Sequence, residues 1–256
     1  GSEMCIRDRS YYSVHTPLQA PKERVAKYEK KPKGERHKNA TYAAMVESVD
    51  RSVGRVMARL EKLGLAKNTV VIFTSDNGGH GRITSHQPLR GNKGNFYEGG
   101  IRVPLIVKWP SVIKPDSTCT VPVISTDYYP TLLAMTGQPA RPKQHMDGRN
   151  LLPLLKQTGT VKREALYWHY PNYIGAGHPG GARPCSVIRS GDWKLIESFE
   201  TNRLELFNLK EDLGEQNDLA AKMPAKAKAL QQQLAAWRAE AKVQMPQRNP
   251  DYKAGE

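Results

Sequence analysis

Apolar positions in the segment 39–63 recur at intervals of three and four residues. This spacing places them on one face of an amphipathic helix, and Gly64 supplies a C-terminal stop. The run 69–74 (TVVIFT) is short, apolar and β-branched, which predicts a strand buried on both faces. The segment 103–108 (VPLIVK) predicts a second such strand. A helix, a short turn and a buried strand in this order indicate an α/β fold.

The pattern changes after Leu155, where short alternating segments replace the long helix. The predicted strands are 165–169, 185–189, 193–198 and 204–209. Between two of them, Ser190, Gly191 and Asp192 form a hairpin turn signal. A last helix is predicted after Pro224, with leucines on one face. We therefore expect a small α+β subdomain with an antiparallel sheet and one helix over 156–256.

The start of the chain carries weaker signals. Residues 1–9 resemble a cloning scar followed by adapter sequence, and we expect them to be a non-native leader. Residues 10–14 are predicted to form the end of a strand, and the Lys-rich segment 22–38 is predicted to be a solvated loop. The expected organisation is therefore a leader, an α/β portion over 10–155 and the subdomain over 156–256.

Charge and composition narrow the classes of protein. The 256 residues include 39 Lys and Arg against 25 Asp and Glu, a net charge of +14. A nucleic-acid interface would need a basic stripe with interleaved aromatic residues, which is not found, so no nucleic-acid partner is expected. The charge favours attraction of a polyanionic substrate. No apolar run approaches the length of about 18 residues that a membrane span needs, and three Cys exclude a disulfide scaffold.

The strongest candidate for chemistry is the segment 74–81 (TSDNGGHG), directly after the first predicted strand. Ligand sites of α/β sheets lie at such strand ends. Asp76 and Asn77 offer a carboxylate and an amide oxygen, which are hard ligands suited to Ca²⁺ or Mg²⁺. A simple turn is the alternative interpretation.

A second candidate is the Gly-rich segment 88–104 (PLRGNKGNFYEGGIRVP), which carries Arg90 and Lys93. A loop with a fixed cation can hold a tetrahedral oxyanion, whereas the alternative is a flexible surface loop.

Four histidines can also face a pocket, although each has a structural alternative. They are His15 in SVHTPLQAP, His80 after the candidate metal ligands, and His169 and His178 at the ends of HYPNYIGAGH.

Taken together, these segments resemble the type I sulfatases of the alkaline phosphatase superfamily. The resemblance rests on SVHTPLQAP, TVVIFTSDNGG, PLRGNKGNFYEGGIRVPLIVKWP, STDYYPTLLAMTG and IRSGDWKLIE with LELFNLKEDLGEQNDLA. It covers nearly everything from Ser10 to the C-terminus. The fold it implies is α/β, with a partial alkaline-phosphatase-like mixed sheet flanked by helices ahead of the small C-terminal subdomain.

The resemblance also implies a function and residue roles. It implies hydrolysis of sulfate esters, with a sulfated carbohydrate as the expected substrate, at a site that holds one divalent cation, Ca²⁺. Asp76 and Asn77 match one pair of metal ligands. Lys93 matches the lysine that contacts the sulfate and the bridging oxygen, and His15 matches a histidine that helps to protonate the leaving group. The residues expected to bind substrate are His80, Arg90, His169 and His178.

The chain departs from the family pattern at the nucleophile. The family uses a formylglycine made from Cys or Ser in a C/S-x-P-x-R motif, and none of Cys5, Cys119 and Cys185 stands in one. The acidic pair that supplies the other metal ligands is also not found. We therefore expect this chain to be the C-terminal portion of a periplasmic or secreted sulfatase. We expect the longer protein to carry the formylglycine, and the fragment to be inactive alone.

Two alternatives remain open at this point. A phosphodiesterase or phosphonate hydrolase of the same superfamily tends to have His where Asn77 stands, so Asn77 favours sulfate esters. A non-catalytic protein that binds sulfated polyanions would account for the charge and the missing nucleophile. Such a binder has no need for Asp76, Asn77, Lys93 and His15 together.

Overall fold

A computed structural model describes residues 7–173 and 183–247. It divides into two compact units, one of Gly1–Thr74 with Pro104–Lys162 and one of Ser75–Val103 with Arg163–Glu256. The second unit therefore includes the segment 75–103, which follows the first strand in the chain. The domain boundary that the sequence predicts at residue 155 stays a prediction. In the described ranges no helix is long and apolar enough to cross a membrane.

The helices and strands are labelled in chain order. They are α1 (Lys22–Glu29), α2 (Ala40–Lys62), β1 (Val71–Thr74), α3 (Glu98–Ile101), β2 (Leu105–Lys108), α4 (Tyr128–Met135), α5 (Leu152–Leu155), β3 (Leu166–Tyr170), β4 (Cys185–Ser190), β5 (Trp193–Ser198), β6 (Leu204–Asn208) and α6 (Pro224–Glu240).

Helix α2 confirms the strongest periodic signal of the sequence. Asn39 caps its N-terminus, because the side-chain Oδ1 accepts the backbone N–H of Tyr42 at 2.9 Å. Gly64 follows the C-terminus with a φ of 68°, the left-handed conformation that glycine adopts without a Cβ penalty.

Helix α1 lies inside the segment 22–38, for which the sequence predicts a loop, so that prediction is wrong for 22–29. The helix has no buried residue of its own. It is tied to α2 by polar contacts, in which Arg24 donates to Ser48 Oγ at 2.7 Å and Lys27 pairs with Glu47 at 2.7 Å. Apolar periodicity could not reveal it, because side-chain polar groups rather than an apolar stripe join it to its neighbour.

Strands β1 and β2 pair antiparallel, with Ile72 opposite Val107 and Phe73 opposite Ile106. The prediction that they are buried on both faces is wrong, because Ile72, Phe73 and Ile106 are 37%, 38% and 61% exposed. In the described residues this sheet has only these two strands. So narrow a sheet leaves apolar side chains in contact with solvent on both faces.

Around α4 the first unit buries polar groups. Asp127, in the 3-10 turn Ser125–Asp127, is fully buried and accepts the backbone N–H groups of Ile124 and Arg149 at 2.9 and 2.8 Å. Thr131 donates to Asp127 O and accepts the N–H of Leu151. These bonds join α4 to the segment that leads into α5.

The second unit contains a four-stranded antiparallel sheet in the order β3-β4-β5-β6. The predicted strands and the predicted hairpin are confirmed, since Ser190 pairs with Trp193 and Gly191 takes a φ of 58°. Successive side chains along a strand point to opposite faces. One face packs against α6 through Ile188, Leu195 and Leu206 together with Leu230 and Leu234.

The other face of this sheet is covered by the Gly-rich segment. Phe96 and Tyr97 pack against a cluster that contains Val187, Ile196 and Phe207. The four-stranded sheet is therefore the support on which the segment 75–103 rests.

Candidate active site

The turn directly after β1 carries the two predicted metal ligands. Asp76 is exposed and Asn77 is half-buried, and their side chains meet, since Asn77 Nδ2 donates to the Asp76 carboxylate. Ca²⁺ takes about six to eight oxygen ligands, so this pair fits two positions of such a set. Within residues 7–173 and 183–247 there is no group of three or more His, Cys, Asp and Glu side chains placed to hold a metal.

Backbone hydrogen bonds lock this turn to the Gly-rich segment. Gly78 N–H donates to Gly100 O at 2.9 Å, and Lys93 N–H donates to Gly79 O at 3.0 Å. The approach at Gly78 is so close that a Cβ there would stand 1.9 Å from Gly99 O. Three predicted site residues, Asp76, Asn77 and Lys93, are therefore brought into one interlocked piece of backbone.

The loop that bears Lys93 is closed at its base. Gly99 N–H donates to Arg90 O at 2.7 Å, and the glycines on either side of Lys93, Gly91 and Gly94, take φ values of 81° and 97°. Positive φ at these positions favours glycine, because an L side chain is strained there. Lys93 itself is exposed, so the loop presents its side chain to solvent.

His86, a histidine to which the sequence assigned no role, organises the same turn. Its Nε2 accepts the N–H of Gly79 at 2.8 Å, so this nitrogen carries no proton in the described arrangement. His80 is exposed, and its Nδ1 accepts from Arg82 N–H at 3.3 Å. The spacing of seven residues between Gly79 and His86 gave no signal of this contact.

Arg90 is engaged with the supporting sheet. Its NH1 donates to Glu215 O at 2.9 Å and lies 3.9 Å from the Glu205 carboxylate, while the guanidinium stacks 3.8 Å from the Tyr97 ring centroid. Burial, followed by the neighbouring charge of Glu205, raises the pKa of Tyr97 to about 12, so its hydroxyl stays protonated and donates to Glu205. Arg90 therefore anchors the loop, and its role in substrate binding stays a prediction.

Both ring nitrogens of His169, on β3, have partners. Nδ1 lies 2.8 Å from Ser186 Oγ and Nε2 lies 2.8 Å from Gln244 O. Substrate binding by this histidine would need one of these contacts to open. His178, the other histidine of the loop 169–178, lies outside the described residues.

His15 belongs to the first unit. Its Nδ1 lies 2.7 Å from Thr16 O, which places a proton on Nδ1, and its backbone N–H donates to Tyr12 O at 2.9 Å. The strand end predicted over 10–14 is wrong, because a turn forms here instead. The ring is exposed.

Sequence reasoning missed a buried ion cluster, which we define as Glu98, Lys194 and Glu215. Lys194 Nζ lies 3.0 Å from Glu98 Oε1 and 2.8 Å from Glu215 Oε1. Burial raises the pKa of Glu215, and the charge of Lys194 opposes this rise. No local pattern signals the cluster, because 96 and 117 positions separate Glu98 from its two partners in the chain.

Two family models match the sequence. The model described as Sulfatase matches residues 10–138, and the model described as N-sulphoglucosamine sulphohydrolase, C-terminal, matches residues 91–242. A protein named sulfatase from Formosa agariphila is 39% identical over 89% of this chain and 45% of its own length. N-acetylglucosamine-6-O-sulfatase from Bacteroides thetaiotaomicron is 32% identical over 83% of this chain and 37% of its own length.

Solved structures agree with these matches. Ps i-CgsB in complex with k-i-k-neocarrahexaose has a TM-score of 0.75 at 30% identity, covering 88% of this chain and 48% of that one. A phosphonate monoester hydrolase from Silicibacter pomeroyi, at 24% identity, a TM-score of 0.62 and coverage of 78% and 40%, shows a likeness of fold alone. The predicted fold class is confirmed, and the chain spans less than half the length of these relatives.

Proposed function

Because this chain belongs to the sulfatase family, we propose that the protein carrying it hydrolyses sulfate esters, with a sulfated carbohydrate as the substrate class. The substrate class is supported by the relative named N-acetylglucosamine-6-O-sulfatase and by the neighbour bound to a neocarrahexaose. The net charge of +14 suits such a polyanion.

The observation that carries the proposal is the interlocked backbone around Asp76, Asn77 and Lys93. Two hard oxygen ligands and one cation belong to a single segment whose glycines allow main-chain contacts at 2.7–3.0 Å. A rigid segment of this kind holds charged groups in place while negative charge develops on a sulfate ester.

Sulfatases generally use Ca²⁺ and a formylglycine. Asp76 and Asn77 would hold the cation together with ligands from the longer protein, and the bound cation would offset charge on the sulfate oxygens. The formylglycine would belong to the part of the protein outside this chain.

Lys93 and His15 are the proposed catalytic residues of this chain. Lys93 would contact the sulfate and the bridging oxygen as a point charge. As the S–O bond to the alcohol breaks, the leaving oxygen needs a proton, and His15 in its cationic form would donate it from Nε2. The contact of Nδ1 with Thr16 O orients the ring for this transfer.

The remaining predicted residues would recognise the substrate. We assign this role to His80, Arg90, His169 and His178. Since Arg90 and His169 already contact protein groups, they would act by shaping the pocket as well as by direct contact. We also propose that the longer protein is periplasmic or secreted.

The test is the turnover of matched sulfate, phosphate and phosphonate esters by the whole protein that carries this chain. We expect turnover of the sulfate ester, and a loss of about 10²–10³ in kcat for Lys93→Ala, as for removal of one oxyanion contact. Addition of a chelator should abolish the activity and Ca²⁺ should restore it. Lys108→Ala, at an exposed lysine on β2, is the matched control and should retain wild-type turnover.

Two results would contradict the proposal. Faster turnover of the phosphate or phosphonate ester would assign the protein to the other branch of the superfamily. Tight binding of a sulfated polysaccharide without turnover would favour the non-catalytic binder.

A further inference from the structure

The buried ion cluster lies on the face of the four-stranded sheet that supports the Gly-rich segment. Lys194, Glu98 and Glu215 are 0%, 2% and 0% exposed. Burying an ammonium or a carboxylate is strongly unfavourable unless the group is paired and hydrogen-bonded. Packing alone therefore does not explain why a lysine, Lys194, is buried on this face of the sheet.

The direction of the Lys194 side chain follows from strand periodicity. On β5, Leu195 faces α6, so its neighbours Lys194 and Ile196 face the opposite side. Lys194 consequently meets Glu98, the first residue of α3, at the end of the loop that carries Lys93.

Glu215 holds both ends of that loop. Its Oε2 accepts the backbone N–H of Glu98 at 2.6 Å, and its backbone carbonyl accepts Arg90 NH1 at 2.9 Å. The remaining carboxylate oxygen, Glu215 Oε1, lies 2.8 Å from the ammonium of Lys194. Glu215 thus fixes the loop 90–98, which has Lys93 near its middle, at both its first and its last residue.

The backbone conformation of Glu215 gives a second reason to expect a specific role for its side chain. Its φ of 53° lies in the left-handed region, where a non-glycine residue is strained. Glycine would relieve this strain, but it has no carboxylate to accept the Glu98 N–H or to pair with Lys194. The side chain of Glu215 therefore does something that the turn itself does not require.

We propose that Lys194 and Glu215 are positioning residues, which hold the loop 90–98 so that Lys93 and the Asp76–Asn77 turn keep their relative placement. The link to the turn runs through α3, because Gly100 O accepts the N–H of Gly78. The proposal rests on the proposed function, since that function gives Lys93 and the turn their chemical roles. Apolar replacements of a buried ion pair often preserve stability, but they supply no directed acceptor for the Glu98 N–H.

The test uses the whole protein, with hydrogen exchange followed by mass spectrometry alongside ester turnover. Lys194→Met keeps the length of the side chain and removes its charge. We expect exchange in peptides from 75–103 to accelerate by about tenfold or more relative to peptides from α6. We expect kcat to fall by about ten- to a hundredfold with a smaller change in KM, because misplacing a reacting group by about 1 Å costs on the order of 10² in rate.

Leu206→Ala is the matched control. It weakens the same sheet on the α6 face, away from the Gly-rich segment, so its exchange should accelerate in β4–β6 and α6. At a temperature where it remains folded, it should keep the wild-type kcat. If Lys194→Met shows the same spread of exchange as this control and keeps the wild-type kcat, the positioning role is refuted.

Two further outcomes are decided by the same measurements. If Lys194→Met does not fold, Glu215→Gln takes its place, because its amide keeps an acceptor for the Glu98 N–H while losing the charge that pairs with Lys194. The same local acceleration supports the proposal, and wild-type exchange over 75–103 overturns it. If the wild-type protein turns over no sulfate ester, the proposed function fails, and the exchange pattern alone decides whether Lys194 and Glu215 position the loop.

Discussion

Two sheets of this chain have similarly apolar strands and opposite exposure. In the first unit, β1 and β2 leave Ile72, Phe73 and Ile106 exposed. In the second unit, the central strands bury Val187, Ile188 and Leu195 completely. The second sheet has α6 on one face and the Gly-rich segment on the other, whereas the first consists of two strands in the described residues.

The difference teaches that an apolar run predicts a strand but not its burial. Burial depends on the layers that cover each face, and these come from distant parts of the chain. Both units bury polar groups, Asp127 and Thr131 in the first and the buried ion cluster in the second. Among the described residues, most of the buried apolar side chains lie in the second unit. Three experiments measure this contrast.

The largest expected difference is in thiol reactivity. Burial raises the pKa of Cys185, in the core of the second unit, to about 12 from an ordinary value of 9.0. At pH 8 its thiolate fraction is therefore lower by about a thousandfold than that of an ordinary thiol, since each pKa unit is a factor of ten. Alkylation followed by peptide mass spectrometry should label exposed Cys119 and leave Cys185 unlabelled while the protein is folded.

The raised pKa of Cys185 also makes the stability of the folded chain depend on pH. The unfolded chain loses the Cys185 proton near pH 9 and the folded chain retains it, so this residue's contribution to stability is lost as the pH rises from about 9 towards 12. Equal labelling of Cys119 and Cys185 under native conditions would show that the core of the second unit opens freely.

The next difference is in the cost of truncating a leucine or isoleucine. Leu206→Ala removes a fully buried side chain from the second sheet and should cost about 2–5 kcal/mol of unfolding free energy. Ile106→Ala, on the exposed face of β2, should cost within about 0.5 kcal/mol. Urea denaturation of both variants measures the contrast, and similar costs would mean that the first sheet is covered in solution.

The smallest of the three effects concerns the polar interior of the first unit. Asp127→Asn replaces one of two acceptor oxygens with an amide that faces a backbone N–H, so it should cost about 1–3 kcal/mol. Asp116→Asn is the control at an exposed position and should leave stability unchanged. A neutral result for Asp127→Asn would mean that the apolar contacts around α4 suffice to hold this unit.

Some residues of the candidate site could be predicted from the sequence and others could not. The sequence marks Asp76, Asn77 and Lys93 as candidates within two Gly-rich segments, but the backbone bonds that join those segments are seen only in the structure. His86 and the ion cluster escaped prediction. A histidine or a lysine has no local signature for the partner it meets, and Lys194 stands in a run that predicts only a strand.

The sequence by itself determined the periodic helix α2, the four strands and hairpin of the second unit, and the segments that carry the family's motifs. These features depend on local spacing and turn chemistry, which act over a few residues. Tertiary structure decided that α1 forms, that β1 and β2 stay exposed, and that Lys194 is buried against Glu98 and Glu215. Each of these outcomes depends on contacts between residues far apart in the chain, whose free energy no local pattern encodes.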